Sequence, residues 1–334
     1  MSSKVRLFTS DSHNPWFNLA TEDWIFRDMD PSYRVMFLWR NSDTVVIGRH
    51  QNPWKECNLE KMEQDDVFLA RRQSGGGAVY QDLGNTNFTF MTSSDQYDQE
   101  ENFSVIIDAL SDFGIRAERS GRNDILVEGR KISGSAFKHR KDRSFHHGTL
   151  LINADLGRLI DYLSPSKKKL MSKGIDSVRS RVANLTEFNE KLTHEALQER
   201  IFARFLERYN ASAEVEHLTR EDLEAVPSLR SHYEELKDWN WRFGKTPDFS
   251  HHLYNRFDWG EMDVHIDTRR GQIEEVKIFS DILYPDLVDG LEQKLVGVRY
   301  DKAAVQDFFA RAREEMPERT ELLQEFGDWM TGQI

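Results

Sequence analysis

The sequence predicts an α+β protein in two parts, a large domain of interleaved strands and helices followed by a small α+β domain. Three observations carry this. Its 334 residues exceed one ordinary core, and at roughly 150 residues per domain the length asks for about two. Short β-branched and aromatic runs alternate with helical patterns through the first half, and hairpin-type turns recur along the chain. Near residues 244–252 the stretch DWNWRFGKTPDFSHH, with two Trp, a Gly and a Pro, breaks the pattern and places the domains at 1–246 and 252–334.

Each element follows from its residues. VRLFTS (5–10) and RVMFLWR (34–40) have the apolar, β-branched and aromatic content of strands. Between them, NLATEDWIFRDM (18–29) sets Leu19, Ile25, Phe26 and Met29 on one helical face. TVVIGRH (44–50) reads as a strand, and VFLARR (67–72) and TNFTFMTS (86–93) flank a glycine run as strand, turn and strand. ENFSVIIDALSDFG (101–114) is a helix ended by Gly114. RNDILVEGRKISGSAF and HHGTLLINADL are hairpin strands, with a turn at Glu128-Gly129. THEALQERIFARFLERYNA (193–211) is an amphipathic helix capped by Thr193. DVHIDTRRGQIEEVKIFS turns at Arg270-Gly271, and two helical segments complete the chain. No internal repeat or low-complexity tract is present.

Composition excludes several functions. With 45 basic against 57 acidic residues, the net charge of −12 argues against general nucleic-acid binding, which needs a basic footprint. No run of about 18 apolar residues marks a membrane span, and the N-terminal residues lack the apolar core of a secretory signal. Cys57 is the only cysteine, so no internal disulfide forms and a reducing, cytoplasmic location is expected.

The residues that can carry chemistry fall into three groups. In RRQSGGGAVYQD (71–82), Gly75, Gly76 and Gly77 follow an arginine pair. The spacing matches neither a dinucleotide-binding turn nor a P-loop. Two readings stay open: a strained turn, or backbone that an anionic or planar ligand approaches closely, with Arg71 and Arg72 as fixed donors. The second group is SGRNDILVEGRKISGSAF (120–137). Lys131 precedes a run of small residues, Ser133, Gly134, Ser135 and Ala136, which suits an ammonium aimed into a pocket between two developing negative centres. Most lysines are simply solvated, and that reading is open too. Asp124, beside Asn123, is the candidate to help hold Mg²⁺. The third group, SPSKKKLMSKGIDSVRSRVANL (164–185), gathers Lys167, Lys168, Lys169, Lys173, Arg179 and Arg181 around one acid, either as a solvated loop or as a segment that closes over phosphate or docks an acidic partner. His139, His146 and His147 read as packing or substrate-contact residues rather than zinc ligands, His251-His252 as structural, and Cys57 as a small core side chain.

Together, R-R-x-S-G-G-G-A-V, R-N-D, R-K-I-S-G-S-A, H-H-G-T-L-L and K-K-K…S-V-R-S-R-V-x-N-L resemble the lipoate–protein ligases of the long bacterial type; NPWFNLA and LWRNSDTVVIGRHQNPWKECN fit as well. The resemblance spans nearly the whole chain. It implies a catalytic domain similar to biotin ligases and class II aminoacyl-tRNA synthetases, with a small C-terminal accessory domain. It implies that ATP and Mg²⁺ convert lipoate to lipoyl-AMP, and that the lipoyl group passes to a lysine of apo lipoyl domains in 2-oxoacid dehydrogenases or of the glycine-cleavage carrier protein. Lys131 is the catalytic residue of this scheme. Arg72, Gly77, Ala78, Val79, Tyr80, Asn123, Asp124 and Lys131 are expected on ATP. Arg72, Ser74, Gly75, Gly76, Lys131, Ser135 and His147 are expected on lipoate, with the basic loop on the adenylate or carrier. Val46 and Phe37 are candidates for the apolar tunnel of the dithiolane tail. A cytoplasmic monomer without nucleic-acid or membrane partners is expected. The alternative within the fold is an ATP-independent acyl transferase working through a cysteine thiol; the alternative outside enzymes is a carrier-binding module.

Overall fold

The computed structural model describes residues 4–121, 123–163, 182–243 and 251–334. They form two compact units. The first comprises Met1–Gly48, Pro53–Ser74 and Ala78–Gly244; the second comprises Arg49–Asn52, Gly75–Gly77 and Lys245–Ile334. Below, strands are numbered in chain order, and helices only where they exceed eight residues.

The first unit is built on an eight-stranded sheet. Its strands are β1 (Val5–Ser10), β2 (Arg34–Trp39), β6 (Asn85–Ser93), β7 (Ala117–Ser120), β8 (Asp124–Val127), β9 (Arg130–His139), β10 (Arg143–Leu151) and β11 (Val215–Leu218). They lie in the order β11-β1-β2-β6-β10-β9-β8-β7. Both neighbours of β1 run parallel to it, and the other pairings are antiparallel. Side chains alternate across the sheet, so each strand feeds two cores. On one face Met36, Phe88, Phe90, Ile125 and Ile132 pack with helices α2 (Gln99–Ser111) and α3 (His194–Tyr209). On the other, Phe8, Phe37, Met91 and Phe145 pack with α1 (Pro15–Asp28) and α4 (Pro227–Lys237). Each such buried aromatic or aliphatic side chain contributes about 1.5–3 kcal/mol.

Local chemistry sets the ends of these elements. Asn14 caps α1 by accepting from the Phe17 amide at 3.0 Å, and Pro15 opens the first turn. Thr193 caps α3 through the Ala196 amide, and Asn210 ends that helix with φ 45°. Glu128 and Gly129 both take positive φ (50° and 76°), the two-residue turn that joins β8 to β9. Arg143 is wholly buried; its guanidinium donates to the carbonyls of Met29, Asp30 and Tyr33 beyond the end of α1.

A second, small sheet in this unit changes one expectation. It orders β4 (Phe68–Arg71), β3 (Thr44–Ile47) and β5 (Val79–Gln81) with β3 in the middle, parallel to β4 and antiparallel to β5. The strands on either side of the glycine run therefore do not pair with each other. The run is a crossover past β3, not the turn of a hairpin. The strand expected over 44–50 stops at Ile47 because the residues that follow leave the sheet.

The second unit folds β12 (His251–Phe257), β13 (Gly260–Arg269) and β14 (Gln272–Ser280) into an antiparallel sheet. Arg270 and Gly271, at φ 54° and 75°, turn β13 into β14. Met262, Val264, Ile266 and Ile278 face helices α5 (Pro285–Leu295), α6 (Lys302–Glu315) and α7 (Thr320–Gly332). Three helices stand where two segments were expected, because Pro317 and a 3₁₀ turn break the last apolar stretch. Within this unit the Gly76 amide donates to the Ile282 carbonyl at 2.9 Å. No helix among the described residues is long and apolar enough to cross a membrane.

Candidate active site

The Lys131 side chain lies across the strand that carries it. A Cβ on Gly134 would stand 2.9 Å from both Cε and Nζ of Lys131, so glycine is what lets the lysine fold back over β9. Its Nζ is 2.8 Å from Oδ1 of Asp124 on β8, a close ionic contact without in-line hydrogen-bond geometry. The Lys131 side chain is 37 % exposed, so the ammonium stays open to a ligand. A register shift between Ile125 and Leu126 brings Asp124 opposite Gly134. Asn123 fixes the strand edge, exchanging hydrogen bonds with the Ser135 backbone at 2.7 and 2.9 Å. The Lys131 carbonyl accepts from the Ala183 amide, where the chain rejoins the described residues after the basic segment.

Beside this pair, on the α1 face of the sheet, runs a buried hydrogen-bond chain with a defined direction. Oε1 of Glu22 accepts from Thr89 Oγ1 at 2.7 Å and from Nδ1 of His147 at 2.8 Å. The carboxylate cannot donate, so the network assigns the proton to Nδ1 and leaves Nε2 an acceptor for Ser74 Oγ at 2.7 Å. Arg72 Nε in turn donates to Ser74 Oγ at 3.1 Å, and Nη1 to the Val46 carbonyl. Arg72 is only 7 % exposed; burial draws its guanidinium down to about 10, while the negative charge of Glu22 supports it. Register places His147 opposite Ala136 and Gly148 opposite Ser135, next to the strand segment that carries Lys131. Three of the expected lipoate contacts, Arg72, Ser74 and His147, are thus one hydrogen-bonded chain.

The remaining expected residues divide. Arg71 points away from Arg72, with its guanidinium donating to the carbonyls of Gly48, Trp241 and Arg242; it is a backbone clamp. Tyr80 packs in a small core with Tyr162 and donates to Asp43, and burial raises its phenol far above the usual range. Ala78 and Val79 are half-buried against neighbouring cores. Phe37 and Val46 lie within the α1-side core. Gly75, Gly76 and Gly77 belong to the second unit. A Cβ on Gly75 would stand 2.1 Å from the Ile282 carbonyl oxygen, so protein backbone already approaches closely there. Gly76 has φ 93° and needs glycine for conformation. Gly77 is restricted by neither, since a Cβ there meets nothing within 4 Å. Lys167, Lys168, Lys169, Lys173, Arg179 and Arg181 lie outside the described residues. Cys57 is buried, and burial pushes its thiol up to about 12. His139 contacts Ser144 and Tyr97 at the far end of β9.

Sequence reasoning missed Glu22, Thr89, Trp39 and Lys138. Trp39 Nε1 reaches Thr89 Oγ1 at 3.4 Å, and Lys138 donates to the Gln73 carbonyl at 3.4 Å. One signal was available: Glu22 stands three residues after Leu19 and four before Phe26, on the helical face that the apolar pattern buries.

Comparison with known proteins places the chain in a family. Residues 14–206 match the family of lipoyl protein ligase A/B catalytic domains, and residues 246–330 match the bacterial lipoate protein ligase C-terminus. The lipoate-protein ligase A of Psychrobacter cryohalolentis is 53% identical over 336 residues, covering 99% of both chains. That of Bdellovibrio bacteriovorus is 48% identical with the same coverage. Among solved structures, LipL1 of P. falciparum in complex with lipoate superposes with a TM-score of 0.88 at 34% identity, over 98% of this chain and 99% of that one. A bipartite lipoate protein ligase of Thermoplasma acidophilum, solved with its E2 lipoyl domain, gives 0.66 at 26% identity over 74% of this chain and 99% of that one. A lipoate-protein ligase A bound with ATP gives 0.62 at 26% identity over 73% and 99%. The fold is that of a lipoate-activating class of ligase, and the chain belongs to the lipoate–protein ligase A family.

Proposed function

We infer that this chain joins lipoate to protein in two steps at the Lys131 site. In the first, a lipoate carboxylate oxygen attacks the α-phosphorus of ATP and the bond to pyrophosphate breaks, giving lipoyl-AMP. In the second, the neutral ε-amine of a carrier lysine attacks the lipoyl carbonyl carbon; AMP leaves and the amine loses a proton. The first step brings two anions together, and a positioned ammonium lowers that barrier. The observation that carries this reading is the Lys131 ammonium, held over Gly134 and against Asp124, beside the Arg72–Ser74–His147 chain. Arg72 and Ser74 are the carboxylate-side donors, and His147, Ser135 and the apolar side chains of Phe37 and Val46 flank lipoate. Gly75 and Gly76 are assigned to lipoate, Gly77, Ala78, Val79, Tyr80 and Asn123 with Asp124 to ATP, and the basic segment to the adenylate or the carrier.

Asp124 is a single, one-third-exposed carboxylate already facing an ammonium. That suits a magnesium ion arriving on the ATP phosphates with most of its water, rather than one caged by protein. Bound there, the ion supplies charge neutralisation at the phosphates. Residues 1–246 are assigned to catalysis and 252–334 to an accessory domain. The carriers are apo lipoyl domains, including the glycine-cleavage carrier protein, and the working form is a cytoplasmic monomer.

Replacing the amine isosterically, Lys131→Met, is expected to lower lipoate-dependent ATP–pyrophosphate exchange about 10²–10³-fold, the loss of one transition-state donor. Exchange at the parent rate defeats the assignment. Gly77→Ala tests the nucleotide wall separately, since the added methyl meets no protein atom. ATP affinity should fall with the melting temperature unchanged. The ATP-independent transferase reading requires a reactive thiol, and a buried Cys57 titrating near 12 does not provide one.

A further inference from the structure

Away from the ligase site, the second unit gathers two imidazoles on one carboxylate. Asp263 and His265 are two residues apart on β13 and so project from the same face; His252 on β12 is the direct cross-strand neighbour of His265. The two rings stack at 4.4 Å with planes 17° apart. His252 Nε2 is 2.5 Å and His265 Nε2 3.1 Å from the same oxygen, Asp263 Oδ1. All three ligand-type atoms lie within 4.8 Å of one another. Asp263 is wholly buried, His265 is half-buried and His252 is open to solvent. One wall is apolar, with Phe279 opposite Asp263 and edge-on to His265. Lys277, opposite His265, is turned to Glu292 at 3.0 Å.

We propose that His252, Asp263 and His265 form a binding site for one divalent transition-metal ion of the zinc class, which ties β12 to β13. Two imidazole nitrogens and one carboxylate oxygen are the donors that such ions select over magnesium or calcium. Tetrahedral coordination at 2.0–2.1 Å sets neighbouring donor atoms about 3.3 Å apart. The present spacings reach that by small rotations, which the exposed His252 ring is free to make. The fourth position opens to solvent on the His252 side and takes water. The other cluster of this kind among the described residues, Asp23 with His232 and Glu235, fits less well. There Arg27 already neutralises Asp23 at 3.0 Å, and the His232 contacts to Asp23 and Glu235 are 3.8 and 4.0 Å.

The test uses the full-length, untagged chain, Zn²⁺ for titration and Co²⁺ as a spectroscopic probe. One Zn²⁺ per chain is expected to survive gel filtration and raise the melting temperature by several degrees. Co²⁺ should give the visible absorption of a tetrahedral site. His252→Gln, at an exposed position that leaves folding intact, should weaken binding at least tenfold and remove both effects, and Asp263→Asn should do the same. His232→Gln should change neither. The proposal is overturned by absence of stoichiometric Zn²⁺ binding, by equal binding in His252→Gln, or by a loss that follows His232→Gln instead. Because lipoate-dependent pyrophosphate exchange is not the readout, failure here leaves the ligase reading standing.

Discussion

His146 and His147 are adjacent on β10, yet the pleat sends them to opposite faces of the sheet, into environments that share almost nothing. His147 faces α1, where Glu22 and Ser74 occupy both ring nitrogens. His146 faces α2 and α3, ringed by Phe88, Phe90, Phe103 and Phe137 with centroids 4.7–5.9 Å away. Neither of its nitrogens has a hydrogen-bond partner among the described residues. The pair shows how one residue type serves two ends. In a polar chain the imidazole fixes the proton positions between Glu22 and Ser74. Among aromatic rings it is a buried polar group whose desolvation is offset only by packing and weak N–H contacts to the rings.

The sharpest way to break the comparison is to delete the connected ring. His147→Ala leaves a buried carboxylate, Glu22, without one of its two donors and Ser74 without its acceptor. That should cost about 3–5 kcal/mol of stability, read as a lower denaturant midpoint. If the loss is no larger than about 1 kcal/mol, the chain is incidental to the fold. The lipoate KM of any folded fraction should rise tenfold or more. Glu22→Gln is milder because it keeps the shape. The amide no longer forces the proton onto Nδ1, and about 1–2 kcal/mol of charge-assisted hydrogen bonding is lost. Imidazole ¹⁵N shifts should show mixed tautomers in this variant and a single one in the parent.

The geometry of Ser74, His147 and Glu22 is also that of a hydroxyl, base and acid in nucleophilic hydrolases. Two features separate it from them. Ser74 is completely buried, and Arg72 donates to the same oxygen, which lowers its nucleophilicity. A fluorophosphonate probe should therefore leave Ser74 unlabelled; rapid labelling would recast the chain as an acyl-transfer site.

Much of this was legible before any coordinates, and the part that was not has a common cause. Glu128-Gly129 and Arg270-Gly271 announce their turns because the φ requirement is local, and Thr193 announces its helix for the same reason. The simple strand, turn and strand order expected around the glycine run fails because β3, more than twenty residues upstream, inserts between the flanking strands β4 and β5. Nothing in RRQSGGGAVYQD encodes that. Arg71 and Arg72 are chemically identical in sequence, and strand alternation says only that they diverge, not which one faces Ser74. The partner of His147 was hidden likewise, since Glu22 lies 125 residues away. Motif spacing finds the candidate residues, whereas tertiary pairing decides which of them join one side-chain network and which clamp backbone.

The last effect concerns the unpartnered His146 ring and its response to acid. Burial above all, with His147 and the Arg119 guanidinium nearby, holds His146 well below the ordinary imidazole value. Its folded pKa is depressed, so its contribution is intact above about pH 6.5 and is lost as pH falls, because the unfolded chain takes up a proton that the native chain refuses. The slope approaches 1.4 kcal/mol per pH unit below about 6.5. Asp23 works in the opposite sense: burial raises its carboxyl to about 6, so protonation favours the native state between its ordinary value and about 6. The measurement must therefore be a difference between chains, with Asp23 common to both. His146→Phe removes the titrating group and the orphaned nitrogens, at a small cost in overpacking. Its stability at pH 7 should lie within about 1 kcal/mol of the parent. Between pH 6.5 and 5 the variant should gain on the parent by up to about 2 kcal/mol. Parallel stability curves across that window would mean that His146 does protonate in the native state, and that the aromatic ring around it opens to let water in.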